Sequence, residues 1–555
     1  MECIAKRTCA LRVAAWGALA LVLCLGSGLA NAQVFRDVAP LSRDAEEALY
    51  CRVCGLFDRD ALPAGSRFIP DRAVCGTPVL VELASKWNRL SKPTREALAY
   101  LFQRPDVKYK FDWREVISPG GRFKIHYVTT STINNDEVNT ADLDRNGVPD
   151  YVDDVATTFD HVWDLEVNQM GYNAPPSDGD AFYDIYIRNL ANEAAYGYTY
   201  PENFVAGSTS SYMEMDNNYT DPIYQTRGLD GLRVTAAHEF FHAVQFGYYA
   251  DFDAAWWQEI TAVWMEDVAY DDINDYYQYI SAFFRAPEKS LDSFSFADLH
   301  VFGAAVYAHH LAQVYGNNAI RRVWEALGAK GPSAYKLEEV DAGMPMGGFA
   351  GVMPRFAVWN YFTGGRARPE YYPEGSAYPS VKSTAITAGY AAQSGSGRVD
   401  HLGAAYVRVL SPGLSGGLQA TFSLAQGAAW QLVVILVSSD GAEVLMPQDA
   451  RVEIPDMSRF TEVVFVPVVT SLSGQGLTYA YTVSLNTGVR KPSHLVGDFD
   501  GNGTVSFADF LAFVGGYGKT PEAEGYSARL DVNGDGLISF QDFLIFASHY
   551  GETAN

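Results

Sequence analysis

His238-Glu239-Phe240-Phe241-His242 sets two imidazoles four residues apart, with a carboxylate next to the first. On an α-helix, residues four apart share a face, so both rings can present a nitrogen to one metal ion while Glu239 flanks the same point. A zinc ion held this way lowers the pKa of a water molecule to about 7, and a neighbouring carboxylate can take that water's proton as it attacks a carbonyl. The expected catalytic residue is therefore Glu239, with His238 and His242 as zinc ligands. A buried helix whose histidines only satisfy core hydrogen bonds would carry the same five letters, so the surroundings must decide.

The flanks read as helix. The stretch 232–246 lacks Pro and Gly and ends at Gly247, a natural stop. A hydrolytic zinc site needs a third protein ligand and one position for water. The run 254–267 reads as a second amphipathic helix carrying Glu259 and Glu266, two turns apart. Glu259 is the expected third ligand because a short connection delivers the start of this helix to the metal. Glu266 or Asp267 then suits a role holding a ligand imidazole in its tautomer, or else both lie on a solvated helix end. A donor for transition-state charge is sought in 300–310, where His300 and Tyr307 stand out.

Taken in order, the extended 123–127, the acidic 142–153, His-Glu-Phe-Phe-His and the Trp-rich glutamate helix resemble the MXAN-type metalloproteases of bacteria. These are similar to gluzincins, whose third zinc ligand is a Glu on a later helix. The resemblance spans about 104–361 and implies a zincin-like fold with Glu259 as ligand. Where such sequences often read Glu-Gly-x-Ala, this chain has Glu259-Ile260-Thr261-Ala262. The resemblance also implies that the strand at Tyr212–Asp216 is the edge that pairs with a substrate backbone, which favours a protein or peptide substrate.

Three further segments carry oxygen ligands. Asp498, Asp500, Asn502, Thr504 and Asp509 recur 33 residues later as Asp531, Asn533, Asp535, Leu537 and Asp542. Positions one, three, five and twelve supply side-chain oxygens and position seven a backbone carbonyl, with Gly at six for the turn, which is what Ca²⁺ requires. Each loop runs into an apolar helix. The duplicated unit resembles dockerin repeats, and that resemblance implies a cohesin-like partner; an autonomous calcium-stabilised tail is the other reading. A related loop places Asp142, Asp144, Asn146, Val148, Asp150 and Asp153 at matching positions before a helix over 151–170, giving a third expected Ca²⁺ beside the one catalytic Zn²⁺.

The rest of the chain bounds where this chemistry would happen. Lys6, Arg7 and Arg12 precede an apolar run at 13–25, and Ala30-Asn31-Ala32 offers a cleavage site, so 1–32 reads as a secretory signal peptide. No other stretch is long and apolar enough to span a bilayer. A net charge of −25 argues against nucleic acid and anionic membranes as partners. Cys51, Cys54 and Cys75 remain after the signal. In an exported chain an odd set suggests one disulfide and one leftover thiol. Residues 33–117 then form a stapled subdomain or, on a second reading, a pro-segment whose thiol caps the zinc.

At 555 residues the chain should hold three to four domains of roughly 150 residues. The fold class expected is multidomain: an α+β zincin-like metallopeptidase domain over 118–395, an antiparallel β-sandwich over 396–488, and a small α-helical, calcium-binding, dockerin-like domain over 489–555. The function expected is that of a secreted, extracellular zinc-dependent peptidase, free or associated with a cell-surface assembly. The alternatives are a catalytically inactive zinc- and calcium-binding surface or assembly protein, and a zinc hydrolase of non-peptide amides.

Overall fold

Five strands that alternate or are continuously apolar build the sheet on which the His-Glu-Phe-Phe-His helix rests. They are β1 (Arg114–Ile117), β2 (Phe123–Tyr127), β3 (Tyr183–Arg188), β4 (Gly197–Val205) and β5 (Ser208–Asp216), in spatial order β1-β2-β3-β5-β4. The pairs β2–β3 and β3–β5 are parallel, while β1–β2 and β4–β5 are antiparallel. The structure is a computed structural model; it describes residues 39–58, 61–62, 75–205, 207–296, 298–331, 337–410, 416–486, 495–500, 504–521 and 523–553. The signal peptide expected at 1–32 lies outside the described residues.

The strand at Tyr212–Asp216 is not the edge. It lies inside the sheet between β3 and β4, and β4 is the edge strand among the described residues. Pro201 in β4 fits that position, because a residue with no N–H is tolerated at an edge and not in an interior ladder.

The described helices of this first compact unit (Met1–Phe283 with Asp292–Gly343) include α1 (Arg43–Phe57), α2 (Thr77–Lys86), α3 (Asp150–Trp163), α4 (Gly228–Phe246) and α5 (Ala255–Ala269). From Leu232 to Phe246 every α4 side chain except Arg233 is buried. It packs on β4 and β5 on one side and on α5 on another, so it is apolar all round where an exposed helix would be striped. Helix α3 runs on into a wide π-helical turn at Asp164–Gln169.

Helix α2 is built into this core. Leu80 packs among Tyr186, Tyr198, Tyr200 and Tyr212, Val81 against Phe246 and Ala250, and Val79 and Leu83 against Leu49, Val53 and Leu56 of α1. Each such side chain contributes roughly 1.5–3 kcal/mol on burial. No disulfide is present among the described residues, and Cys51 and Cys54 both lie within α1. The expected cysteine staple is therefore absent, and hydrophobic packing holds the N-terminal segment in place of a covalent bridge.

The second unit (Phe284–Leu291 with Met344–Asn555) is mostly β. Strands β6 (Thr384–Thr387), β8 (Val407–Leu410), β10 (Trp430–Val437), β11 (Ala442–Leu445) and β13 (Glu462–Val469) form a sheet in the order β11-β10-β13-β8-β6. Strands β7 (Gln393–Val399), β9 (Gly417–Leu424), β12 (Arg451–Ile454) and β14 (Leu477–Asn486) form a second, in the order β12-β9-β14-β7. The two share one core, with Val434 and Phe465 from the first sheet and Phe422 and Tyr481 from the second. All pairings are antiparallel except β6–β8. Helix α6 (Phe349–Tyr361) packs on β10 and β13, and β13 is buried at every position.

The same unit contains α7 (Phe507–Gly516) and α8 (Phe540–Ser548), each started by a capping box, Ser506 with Asp509 and Ser539 with Asp542. Phe513, Leu530 and Ile538 form their small core. No described helix of the chain is long and apolar enough to cross a membrane.

Candidate functional site

Four donor-bearing side chains converge in the first unit: Cys75, His238, His242 and Glu259, with one ligand atom of each lying within 4.8 Å of the others. Helix α4 supplies the two imidazoles one turn apart, and α5 supplies Glu259 from its first turn and a half. The Nε2 atoms of His238 and His242 are 3.1 Å apart. Glu259 lies 3.2 Å from His242 Nε2 and 3.5 Å from His238 Nε2. Cys75 Sγ is 3.5 Å from His242 Nε2.

These separations lie close to the edges of a tetrahedron around zinc, the two shortest slightly below them. With metal–nitrogen and metal–oxygen distances of about 2.0–2.2 Å the edges are about 3.3–3.5 Å, and with a metal–sulfur distance of about 2.3 Å the sulfur–nitrogen edge is about 3.6 Å. Glu259 is fully buried, and neither of its oxygens accepts a geometrically sound hydrogen bond from a described residue. Burial alone would raise its pKa, but the facing imidazoles, His242 foremost, hold it at about 2. A buried carboxylate anion and two ring nitrogens aimed at one point fit a cation.

The tautomers are set from behind. Gln245 Nε2 donates to Gln258 O (3.0 Å) and to Thr261 Oγ1 (3.1 Å), which leaves its Oε1 as the acceptor facing His242 Nδ1 at 2.8 Å. His242 Nδ1 therefore carries the hydrogen, and Nε2 presents its lone pair to the cluster. Glu266 Oε1 does the same for His238, at 2.6 Å from Nδ1. Burial pushes the Glu266 carboxyl up to about 8, against the pull of the neighbouring His238. The sequence points to Glu266 but not to Gln245; the signal for Gln245 is its position three residues after His242, one turn along the same face.

Glu239 sits beside the cluster and is fully engaged. Its Oε2 accepts from Thr77 Oγ1 and Thr199 Oγ1, both at 2.8 Å, and its Oε1 lies 3.4 Å from Cys75 Sγ. A Cβ on Gly197 would lie 2.8 Å from Glu239 Cγ, so β4 begins directly against the carboxylate because that residue is glycine. Cys75, His238, Glu239 and Glu266 line a cavity of about 30 Å³ together with Tyr196, Tyr279 and Asp275. That is space for about one or two waters. His300 and Tyr307, expected as transition-state donors, do not line it; both are buried on later helices. The phenols at the cavity are Tyr196 and Tyr279.

The oxygen-rich loops are also assembled. Carboxylates of Asp142, Asp144 and Asp150 meet, and Asn146 Nδ2 lies 3.1 Å from Asp144 and 2.9 Å from Asp153; Val148 N–H donates to Asn146 Oδ1 (2.7 Å). Asp498, Asp500 and Asp509 meet in the first C-terminal loop, where Asn502 lies outside the described residues and Thr504 forms a bridge to Thr553. Asp531, Asp535 and Asp542 meet in the second, with Asn533 Nδ2 at 2.9 Å from Asp535 and the Leu537 N–H bonded to Asp535.

No protein-family model and no curated protein matches the chain. Among solved structures, one described as a novel family GH115 4-O-methyl-α-glucuronidase with specificity for decorated arabinogalactans is similar at 10% identity and a TM-score of 0.12. The likeness covers 46% of this chain and 38% of that one, and it carries no argument about fold or activity.

Proposed function

We propose that the chain is a secreted zinc-dependent peptidase of the MXAN, gluzincin-like kind, with a zincin-like catalytic unit. The observation that carries this is the convergence of His238, His242 and Glu259 beside Glu239, with both imidazoles oriented from behind. These three residues would hold the ion, which when bound supplies the Lewis acidity that activates water and polarises a carbonyl. Glu239 would take the proton of the attacking water and return it to the leaving amine. Thr199, bonded to both the Glu239 carboxylate and its backbone carbonyl, holds that base in place. Edge strand β4, adjoining the site, favours an extended peptide over a sugar or lipid, because its outer side, where Thr77 now accepts from the Thr199 N–H, would pair with a backbone once Thr77 gives way.

The same proposal gives Ca²⁺ to the loops at Asp142, Asp498 and Asp531. A dockerin-like, cohesin-binding role for α7 and α8 has one supporting observation: Phe507, Leu511 and Tyr517 are exposed, as are Phe540, Leu544 and Tyr550, each 33 positions later. A matched apolar face on two repeated helices suits a protein partner.

The test is zinc stoichiometry together with hydrolysis of a fluorescence-quenched unfolded protein. One zinc ion per chain is expected, retained in Glu239→Gln and lost when His242→Ala and Glu259→Ala are combined. Hydrolysis is expected in a chain whose site is open to water, and is abolished by Glu239→Gln. Zinc that binds independently of His242 and Glu259, or hydrolysis indifferent to Glu239, would refute the assignment and leave a binding protein.

A further inference from the structure

The N-terminal segment enters the metal cluster itself. Cys75 lies 3.5 Å from His242 Nε2 and 3.4 Å from Glu239 Oε1. Two residues on, Thr77 Oγ1 donates to Glu239 and accepts from the N–H of Thr199 in β4. The three residues Cys75-Gly76-Thr77 thus touch a metal ligand, the general base and the edge strand at once. The close approach depends on Gly76, since a Cβ there would lie 2.0 Å from a ring carbon of Tyr198. Independently of the thiol, the Glu259 carboxylate is buried, without a sound hydrogen bond from a described residue, and aimed at the same point.

We propose that Cys75 is the fourth ligand of the metal, delivered by the N-terminal segment, and that the chain is latent until this thiolate leaves. The proposal rests on the zinc-peptidase reading. A zinc site with four protein ligands is closed, whereas hydrolysis needs one position for water. The sulfur lies 3.5 Å from His242 Nε2 and within 4.8 Å of a ligand atom of His238 and of Glu259, where it would complete a four-ligand set. Thr77 adds a second block by engaging Glu239. Opening is a ligand exchange in which the thiolate departs and takes a proton from solvent while water enters its place. Because α2 is packed into the core of the unit, the exchange is tested by point substitution in the full chain rather than by truncation.

The experiment compares the wild type with Cys75→Ala, Cys75→Ser and Gly76→Ala, each alone and with Glu239→Gln. Cobalt(II) loading reads the ligand, through the near-ultraviolet thiolate-to-cobalt charge-transfer band, and zinc loading reads hydrolysis of the quenched protein. The expected wild type shows the band and hydrolyses at background. Cys75→Ala and Cys75→Ser bind one cobalt without the band and gain about tenfold or more in hydrolysis, as for a site that acquires its water; Gly76→Ala keeps the thiol but weakens the band. Thermal unfolding verifies that each variant is folded. Cobalt bound to the wild type without the band overturns the ligand assignment. Equal, Glu239-dependent hydrolysis in wild type and Cys75→Ala overturns latency while leaving the peptidase reading intact. No hydrolysis in any variant, with metal bound, removes the peptidase reading and latency with it.

Discussion

Replacing Gln245 by Leu removes the acceptor that fixes His242 while leaving every proposed metal ligand in place. Gln245 is fully buried, and its amide makes three hydrogen bonds: one from His242 Nδ1 and two to Gln258 O and Thr261 Oγ1. In the variant His242 Nδ1–H is a buried donor with nothing to meet it, at about 1–3 kcal/mol. The imidazole can escape that cost by moving its proton to Nε2, and that nitrogen is then unable to bind a cation. The same free energy therefore appears as weaker metal binding, about 10–100-fold in dissociation constant, the usual effect of losing a residue that orients a ligand. Gln245→Glu keeps an acceptor for His242 and should weaken binding less than Gln245→Leu does. The assay is competition for zinc with a chromophoric chelator, with unfolding temperatures at saturating zinc as the control for folding. A folded Gln245→Leu chain that binds zinc within about twofold of wild type would show that the orienting bond does not matter and that the site is not tuned through His242.

Glu239→Gln should leave zinc stoichiometry unchanged and lower hydrolysis in the opened chain by at least the 10²–10⁴-fold typical of a general base; retained turnover would remove Glu239 from the mechanism. Glu166 is fully buried, neither of its oxygens has a hydrogen-bond partner among the described residues, and burial raises its pKa well above 4.5. A raised folded value means stability is lost as pH climbs from the unfolded value towards the folded one. Glu166→Met should therefore be more stable than wild type near neutral pH, by on the order of 1–3 kcal/mol, with the advantage shrinking as pH falls towards 4.5. A constant difference across a pH series of unfolding curves would refute this. Calcium at about 100 times its dissociation constant should stabilise the C-terminal helices by about 2.7 kcal/mol per site. Asp531→Ala combined with Asp542→Ala should abolish the second repeat's share, and an unfolding curve indifferent to calcium and chelator would count against ion binding there.

What the sequence reveals of this site follows the range of the interactions that build it. His238, Glu239 and His242 are related by helical period alone, and Glu259 follows from a short connection between two helices, so all four are found by local reasoning. Gln245 obeys the same period, yet nothing in the residue type marks it, because its role is to satisfy a tautomer and not to bind metal. Both Gly197–Val205 and Ser208–Asp216 have strand character, but strand order is decided by pairing with β3, which no alternation pattern contains. Pro201 was the local sign that β4 is the edge. His300 and Tyr307 have the chemistry of transition-state donors, but the packing of the later helices buries them away from the cavity.

Cys75 and His242 are 167 positions apart, and their meeting depends on where α2 docks. That docking is hydrophobic and therefore non-directional; Leu80, Val81 and Val79 would read the same in any buried helix. Its precision comes from Gly76, where the missing Cβ allows contact with Tyr198, and from Thr77, which bridges Thr199 and Glu239. The residues proposed to make the chemistry are consequently written at helical spacing, whereas the residue proposed to close the metal position is written only in the tertiary fit. This separation bears on the proposed latency: Cys75 can be replaced without altering His238, His242 or Glu259 on α4 and α5, and so access to the proposed metal would change while the ion stays bound.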